Sequence, residues 1–152
     1  MRKLLKKALG PENIFIGLSS TTKPGIIQEM LAGLAEAGKI HDLEAAERAV
    51  MEREHKMSTG MKHGVAIPHG KTDSVDKLVA AVGIRREGVE FECSDGKPAR
   101  IFIMTVSPAN RSGPHIQFLA EISKILRRKD LRERLLEAGT ADEVIAVFMD
   151  EQ

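Results

Sequence analysis

The chain is organised around the segment STGMKHGVAIPHGK, residues 58–71. Its glycine-punctuated first part is typical of a loop, and the β-branched and apolar residues 65–67 indicate a short strand. Pro68 has no backbone N–H and ends that strand, which places the imidazole of His69 at the mouth of the strand. Gly70 has no Cβ, so the backbone there can approach a bulky partner closely. We therefore expect His69 to be presented rather than packed, and we take it as the candidate for chemistry.

Length and charge set the broad class of protein. At 152 residues the chain is the size of one domain that buries its own core, so we treat residues 1–152 as a single domain. The 23 Lys and Arg against 22 Asp and Glu give a formal net charge of +1, so no global field favours nucleic acid or an anionic membrane. No apolar run approaches the roughly 18 residues of a membrane span, and the N-terminus lacks a long apolar signal core. These features predict a cytoplasmic protein without nucleic-acid binding or stable membrane insertion.

Cysteine and histidine usage argues against metal sites and disulfides. Cys93 is the only cysteine, which excludes an internal disulfide and a multi-cysteine zinc site. It could be a nucleophile, but a small residue at a strand end is the simpler interpretation. The five histidines lack the spacing of helical zinc ligands, and His41 and His55 suit exposed helix ends. Because residues 58–60 also lack the GxxxxGK[ST] frame of an ATP-binding loop, we expect neither a metal ion nor a cofactor.

Helical periodicity and capping residues predict six helices. The first is basic and amphipathic; it could lie on a membrane, but docking through its leucines is the simpler account of so short a helix. Thr22, Asp42 and Thr140 are placed to cap later helices. In the helix that His115 opens, Ile116, Leu119, Ile122, Ile125 and Leu126 form the predicted buried stripe. The predicted helices cover residues 1–9, 23–37, 43–54, 115–126, 130–138 and 141–149.

Strand signals lie between these helices, and one pair of strands is joined by a tight turn. Residues 78–84 are continuously apolar, which indicates an interior strand covered on both faces. The hairpin-type turn at 95–98 lies between the alternating segment 89–91 and a largely apolar strand at residues 99–106, and this spacing predicts two neighbouring antiparallel strands. Further strands are predicted at residues 14–18, 65–67 and 89–91. The combination predicts an α/β fold, a single-domain sandwich with a mixed, mostly antiparallel central sheet flanked by helices.

Arg53, His69 and His115 each lie at a predicted element boundary, where side chains can converge on one side of a sheet. A neutral imidazole is a competent nucleophile towards phosphorus at pH 7, and the bound phosphoryl group then needs cationic or hydrogen-bonding neighbours. Arginine supplies a fork of donors, and a second histidine supplies another. The pattern fits a phosphate site and a scattered set of surface residues equally well, with His115 as an exposed helix start in the second case.

The motifs also resemble a known family. The order and spacing of Arg53-Glu54, residues 58–60 and residues 64–69 are similar to the signature of the fructose/mannitol-type (type 2) enzyme IIA domain of the bacterial phosphoenolpyruvate-dependent phosphotransferase system. The similarity continues through residues 95–98 and 115–120, so it covers about residues 13–150.

The resemblance implies a phosphotransferase component with a phosphohistidine intermediate. The carrier protein HPr would pass its phosphoryl group to His69, and Arg53 and His115 match the family's other two active-site positions. In sugar-transport members the next acceptor is a cysteine of an enzyme IIB domain. In the nitrogen-type branch the phosphorylation state regulates a target protein instead. No IIB or HPr domain is appended in this sequence, so we expect both partners to be met by diffusion.

Two features bear on the choice of partner. Residues 61–63, Met-Lys-His, replace the small hydrophobic and polar residues common in the family, and we place their charge, with His63, at the rim of the His69 site. The single-domain chain and residues 69–71 resemble the nitrogen-type regulatory branch, which we take as the first interpretation. Sugar transport of the fructose/mannitol type is the alternative.

Overall fold

The computed structural model describes residues 3–149. Over that range the chain forms helices, one turn of 3₁₀ helix at Pro11–Asn13, and a five-stranded sheet. The helices are α1 (Lys3–Ala8), α2 (Lys23–Glu36), α3 (Leu43–Lys56), α4 (Ser112–Leu126), α5 (Lys129–Glu137) and α6 (Ala141–Phe148). The strands are β1 (Ile14–Ile16), β2 (Val65–Ala66), β3 (His69–Lys71), β4 (Val79–Val89) and β5 (Ala99–Ser107).

The sheet is mixed, with the order β1-β4-β5-β2 and with β3 also paired to β5. β4 and β5 form the predicted antiparallel pair, and β4 is interior. The α/β fold with a mixed sheet is therefore confirmed. The expectation of mostly antiparallel pairing is wrong, since the other three pairings are parallel. β5 runs antiparallel to β4 and lies between β4 and the edge formed by β2 and β3. β2 and β3 precede β4 in the chain and run opposite to it, so they lie parallel to β5.

β2 and β3 are two pieces of one edge strand. Val65 faces Ile101 and His69 faces Thr105, so the partner number exceeds the residue number by 36 in both pieces. Pro68 interrupts the ladder because it has no N–H to donate, although its carbonyl still accepts from Thr105 N at 3.3 Å. Pro68 thus ends a strand as predicted. His69 does not project beyond the sheet, however; it begins β3 and is held in register with β5.

Apolar side chains fill both faces of the sheet, which gives a three-layer sandwich. Along β4, alternate residues pack into opposite cores: Val82 lies in the core with α1, α4, α5 and α6, and Ala81 in the core with α2 and α3. This confirms an interior strand that is covered on both sides. Helix α1 docks through Leu5, which is fully buried, as the docking account predicted. Residues 1 and 2 of that predicted helix lie outside the described residues.

Capping was predicted well, whereas the buried face of α4 was not. Thr22, Asp42 and Thr140 each accept a backbone N–H in the first turn of their helix, as predicted. Helix α4 begins three residues before His115, and Ile116 is 63% exposed instead of buried. The buried stripe runs through His115, Phe118, Ile122, Ile125 and Leu126, at helical spacings of three and four. His115 is therefore a buried first-turn residue, not an exposed helix start.

No helix within residues 3–149 has both the length and the apolar character needed to span a bilayer.

Candidate active site

Arg53, His69 and His115 line one cavity of about 620 Å³. The ring centroids of the two histidines lie 5.0 Å apart, with an angle of 36° between the ring planes. Helix α3 supplies Arg53, the first residue of β3 supplies His69, and the first turn of α4 supplies His115. The fold therefore brings together three residues that the sequence pattern alone left either convergent or scattered.

Gly70 explains how α3 comes to lie beside His69. A Cβ built on Gly70 would lie 2.7 Å from the backbone nitrogen of Val50 and 2.8 Å from the carbonyl carbon of Ala49, distances that real Cβ atoms do not reach. The close approach predicted for Gly70 thus exists, and its partner is the backbone of α3 within the same chain. One turn after this contact, Arg53 projects into the cavity.

The hydrogen bonding of His69 leaves one ring nitrogen available. Nδ1 lies 2.9 Å from the carbonyl oxygen of Ile67. A carbonyl only accepts hydrogen bonds, so in the neutral ring Nδ1 carries the proton and Nε2 keeps its lone pair. The half-buried ring is thereby fixed in the tautomer in which Nε2 is nucleophilic.

His115 is held neutral by its surroundings. Its side chain is buried, with 8% of its surface exposed, and its Nδ1 lies 3.0 Å from Thr105 Oγ1. Burial lowers the pKa of His115, and the nearby His69 and Lys71 lower this pKa further. Thr105 pairs with His69 in the sheet and contacts His115 with its side chain, so one residue positions both rings.

The cavity wall is cationic. Arg53 donates from Nη1 to the carbonyl of Met57 at 2.7 Å, and within residues 3–149 its other guanidinium nitrogens form no hydrogen bond. Arg48, Lys56 and Lys71 also line the cavity, against one carboxylate, that of Glu52. A lone-pair nitrogen surrounded by cations suits the handling of an anionic group such as phosphate.

Residues 7–151 match the family described as "Phosphoenolpyruvate-dependent sugar phosphotransferase system, EIIA 2". The chain belongs to this type 2 EIIA family. EIIA domains are phosphotransferase components, so the match agrees with the family resemblance of the 58–71 segment.

Relatives of this EIIA chain include both sugar-specific and nitrogen regulatory proteins. It is 40% identical over 129 residues to the fructose-specific EIIA component of Haloferax volcanii, covering 85% of this chain and 84% of that protein. It is 35% identical over 144 residues to the fructose-specific EIIABC component of Bacillus subtilis, covering 95% of this chain but only 23% of that protein. The nitrogen regulatory protein of Bradyrhizobium diazoefficiens is 28% identical over 140 residues, with 92% and 91% covered.

Solved structures with a similar fold likewise include a nitrogen regulatory protein and an enzyme IIA-Mtl. The crystal structure of nitrogen regulatory protein IIA-Ntr from Neisseria meningitidis superposes with a TM-score of 0.86 at 30% identity, covering 96% of this EIIA chain and 99% of that one. The enzyme IIA-Mtl chain in the complex with phosphorylated enzyme IIB-Mtl from Escherichia coli gives a TM-score of 0.80 at 28% identity, covering 93% and 96%.

A buried charge network supports the signature loop of this EIIA chain. The carboxylate of Glu54 accepts hydrogen bonds from Thr59 N at 2.8 Å, from Thr59 Oγ1 at 2.6 Å and from Lys23 Nζ at 2.8 Å. Burial by itself would raise the pKa of Glu54, but the hydrogen bonds from Lys23 and Thr59 outweigh it and hold this pKa below its usual range. The Glu and Thr of the family signature therefore tie the end of α3 to the loop that leads to β2.

Several sequence predictions concern residues away from this cavity. His41 and His55 are exposed, as predicted. Cys93 is buried and lies outside the cavity, and burial raises the pKa of its thiol, in agreement with the structural interpretation. His63 does not line the cavity, so its predicted place at the rim of the His69 site is wrong. It lines a second cavity instead, because its left-handed backbone, with φ of 64°, turns the chain at the start of β2.

Sequence analysis missed three cations of the site, Arg48, Lys56 and Lys71. A usable signal was present for two of them, because Arg48 and Lys56 lie on the same face of α3 as Glu52, at spacings of four residues. Lys71 lies two residues after His69 in β3, where alternate residues share one side of the strand. Within residues 3–149, no three metal-binding side chains come together.

Proposed function

We propose that this EIIA domain accepts a phosphoryl group on Nε2 of His69 from a phosphorylated HPr-type carrier protein and then passes it on or signals by carrying it. The observation that supports this most strongly is the bond from His69 Nδ1 to the carbonyl of Ile67, which leaves Nε2 as the nucleophilic nitrogen of a residue that lines the cavity.

In this reaction the Nε2 lone pair attacks phosphorus and forms a new N–P bond. The bond from phosphorus to the histidine nitrogen of the donor breaks, and the donor nitrogen keeps that electron pair. No oxidant or additional reactant is needed. The proton on Nδ1 remains in place, because its hydrogen bond to Ile67 also stabilises the positive charge that the ring acquires.

Arg53 and His115 would stabilise the phosphoryl oxygens during transfer. The guanidinium of Arg53 has nitrogens that form no hydrogen bond within the described residues, and its planar fork fits phosphoryl oxygens. The lowered pKa of His115 favours its neutral ring. In the tautomer in which Nδ1 accepts from Thr105 Oγ1, Nε2 carries the proton and can donate to a phosphoryl oxygen without adding a second buried charge. In this assignment His69 is the phosphoacceptor, and Arg53 and His115 contact the group that is transferred.

Two downstream roles each have an observation in their favour. Nitrogen-type regulation, our first candidate, is supported by the TM-score of 0.86 to IIA-Ntr of Neisseria meningitidis. Sugar transport by transfer to an enzyme IIB cysteine is supported by the 40% identity to the fructose-specific EIIA component of Haloferax volcanii. In either case we expect the domain to act in the cytoplasm.

A phosphorylation assay tests the shared step and then separates the two roles. Incubation with phosphoenolpyruvate, enzyme I and HPr should give an acid-labile, base-stable adduct that is lost in His69→Ala. Chasing the phosphorylated domain with a fructose-type IIB domain should then transfer the group if the role is transport. If the role is regulatory, the adduct should survive this chase, and the phosphorylated and unphosphorylated forms should differ in affinity for a target protein.

A further inference from the structure

A second cavity, of about 600 Å³, lies at the other end of the β2–β5 ladder. It is bounded by the start of β2, by residues 86–87 of β4, by the segment 97–101 and by α5, and it shares no lining residue with the His69 cavity. Ile101 borders this cavity, whereas Thr105 pairs with His69. Four residues of strand separate these two positions, or about 13 Å at 3.3 Å per residue. The two cavities are therefore distinct sites.

Positive charge is concentrated in this second cavity. Five cationic side chains line it against two carboxylates, which gives a local formal charge of +3 in a chain whose total is +1. Among residues 3–149, the only ion pair in the cavity wall joins Lys129 to Glu133 at 4.0 Å, a weak contact between exposed groups. The five cations are Arg86, Lys97, Arg100, Lys129 and Arg132.

The three arginines of the cavity are held in place by carbonyl oxygens and not by carboxylates. Arg86 donates to two carbonyls at the end of α5, Arg100 donates from Nε to the carbonyl of Arg86 at 2.7 Å, and Arg132 donates from Nη1 to the carbonyl of Leu126 at 2.8 Å. Within the described part of the chain, none of the three forms an ion pair. Their charges remain unneutralised, and their remaining N–H groups are available to a ligand.

We propose that this second cavity binds a small molecule that carries at least two negative charges on phosphate. Phosphate suits the site because its tetrahedral oxygens present acceptors in several directions to separate guanidinium forks, whereas the two oxygens of a carboxylate lie in one plane. The volume falls within the range of roughly 300–1,000 Å³ that is typical of small-molecule sites. The surfaces of Pro98 and Leu136 offer an apolar contact for the rest of such a ligand. This site is independent of the phosphoryl acceptor His69.

Calorimetric titration with inorganic pyrophosphate at a fixed ionic strength near that of the cell tests the proposal. We expect the double variant Lys97→Gln/Arg100→Gln to weaken binding by tenfold or more, about the loss of one charge-assisted hydrogen bond. The matched control is Arg48→Gln/Lys56→Gln, which removes the same charge from the His69 cavity and should change the affinity less than twofold. His69→Ala should bind as the wild type does, and succinate should bind at least tenfold more weakly than pyrophosphate.

Amide chemical shifts show where the probe binds. Pyrophosphate should shift the amides of residues 63–64 and 97–101 at concentrations that leave those of residues 69–71 unmoved. Equal weakening by the two double variants, shifts centred on residues 69–71, or equal binding of succinate would overturn the proposal, as would the absence of binding. Unchanged thermal melting of Lys97→Gln/Arg100→Gln ensures that a loss of affinity is not a loss of fold.

Discussion

Replacing Glu54 with glutamine tests how the signature loop is held. Glu54 is 5% exposed, and its carboxylate receives three hydrogen bonds, from Lys23 Nζ and from the backbone and hydroxyl of Thr59. An amide of the same shape can accept from Lys23 and from the Thr59 backbone with its oxygen, and donate to the Thr59 hydroxyl with its nitrogen. Glu54→Gln therefore removes the charge while keeping the shape and most of the hydrogen bonds.

The expected loss of stability follows from the removal of that charge. Hydrogen bonds to charged groups contribute about 1.5–3 kcal/mol each, and removing one partner of a buried pair costs about 3–5 kcal/mol. Lys23 keeps a second carboxylate, Glu92 at 2.8 Å, although that group is exposed. We therefore expect the free energy of unfolding to fall by about 2–3 kcal/mol at pH 7, since Lys23 is not left alone. For a chain of this size, that corresponds to a melting temperature lower by about 4–12 °C.

The pH dependence of the stability difference between wild type and Glu54→Gln shows whether the charge of Glu54 causes it. The pKa of Glu54 is lowered in the folded state, so its contribution is complete above the unfolded-state pKa and is lost as the pH falls through the folded-state pKa. When wild type and Glu54→Gln are unfolded in urea between pH 7 and pH 3, the difference between their free energies of unfolding should become smaller at the acidic end. Glu52→Gln, an exposed change two residues earlier in α3, should stay within about 0.5 kcal/mol. A loss of unfolding free energy in Glu54→Gln that is independent of pH, or no larger than the loss in Glu52→Gln, would refute the assigned charge network.

Three further predictions concern the active site. Arg53→Lys should keep the fold but slow phosphoryl transfer roughly ten- to a hundredfold in single-turnover assays, because a point charge replaces the planar fork; an unchanged rate would leave Arg53 outside the transfer step. His115→Ala should still accept phosphate from HPr, but the rate of onward transfer or the lifetime of the adduct should change. Because the ring is buried against Thr105, the substitution should also lower the free energy of unfolding by about 1–3 kcal/mol. Wild-type transfer rates in both directions would remove His115 from the site. Gly70→Ala should destabilise the fold by about 1–3 kcal/mol and impair transfer, because the added methyl group forces α3 away from His69; wild-type melting and transfer would show that the close packing of α3 is not required.

The sequence predicted those parts of the fold and site that depend on local pattern. The caps at Thr22 and Asp42 and the interior position of the 78–84 run follow from spacing and apolar content alone. The candidate His69 follows from its motif. The choice between Ile116 and Phe118 in α4 could not be predicted, because both lie on plausible helical stripes and only the packing against the sheet selects one.

Contacts between distant parts of the chain account for what sequence analysis missed. Lys23 and Glu54 are 31 residues apart, and no local periodicity connects them. His63 lies six residues before His69 and yet lines a different cavity, because the intervening β2 strand separates the two ends of the ladder. The parallel pairing of β2 and β3 with β5 likewise depends on the position of β5 in the sheet, between β4 and the edge strand, which turn signals do not reveal.

Phosphorus NMR of the phosphorylated protein tests the central assignment most directly. After reaction with phosphoenolpyruvate, enzyme I and HPr, wild-type protein should give one phosphohistidine signal, of the Nε2 isomer, because Nδ1 of His69 is engaged by the carbonyl of Ile67. The signal should be absent from His69→Ala and present in His63→Ala. An Nδ1 phosphohistidine, or an undiminished signal in His69→Ala, would contradict the account.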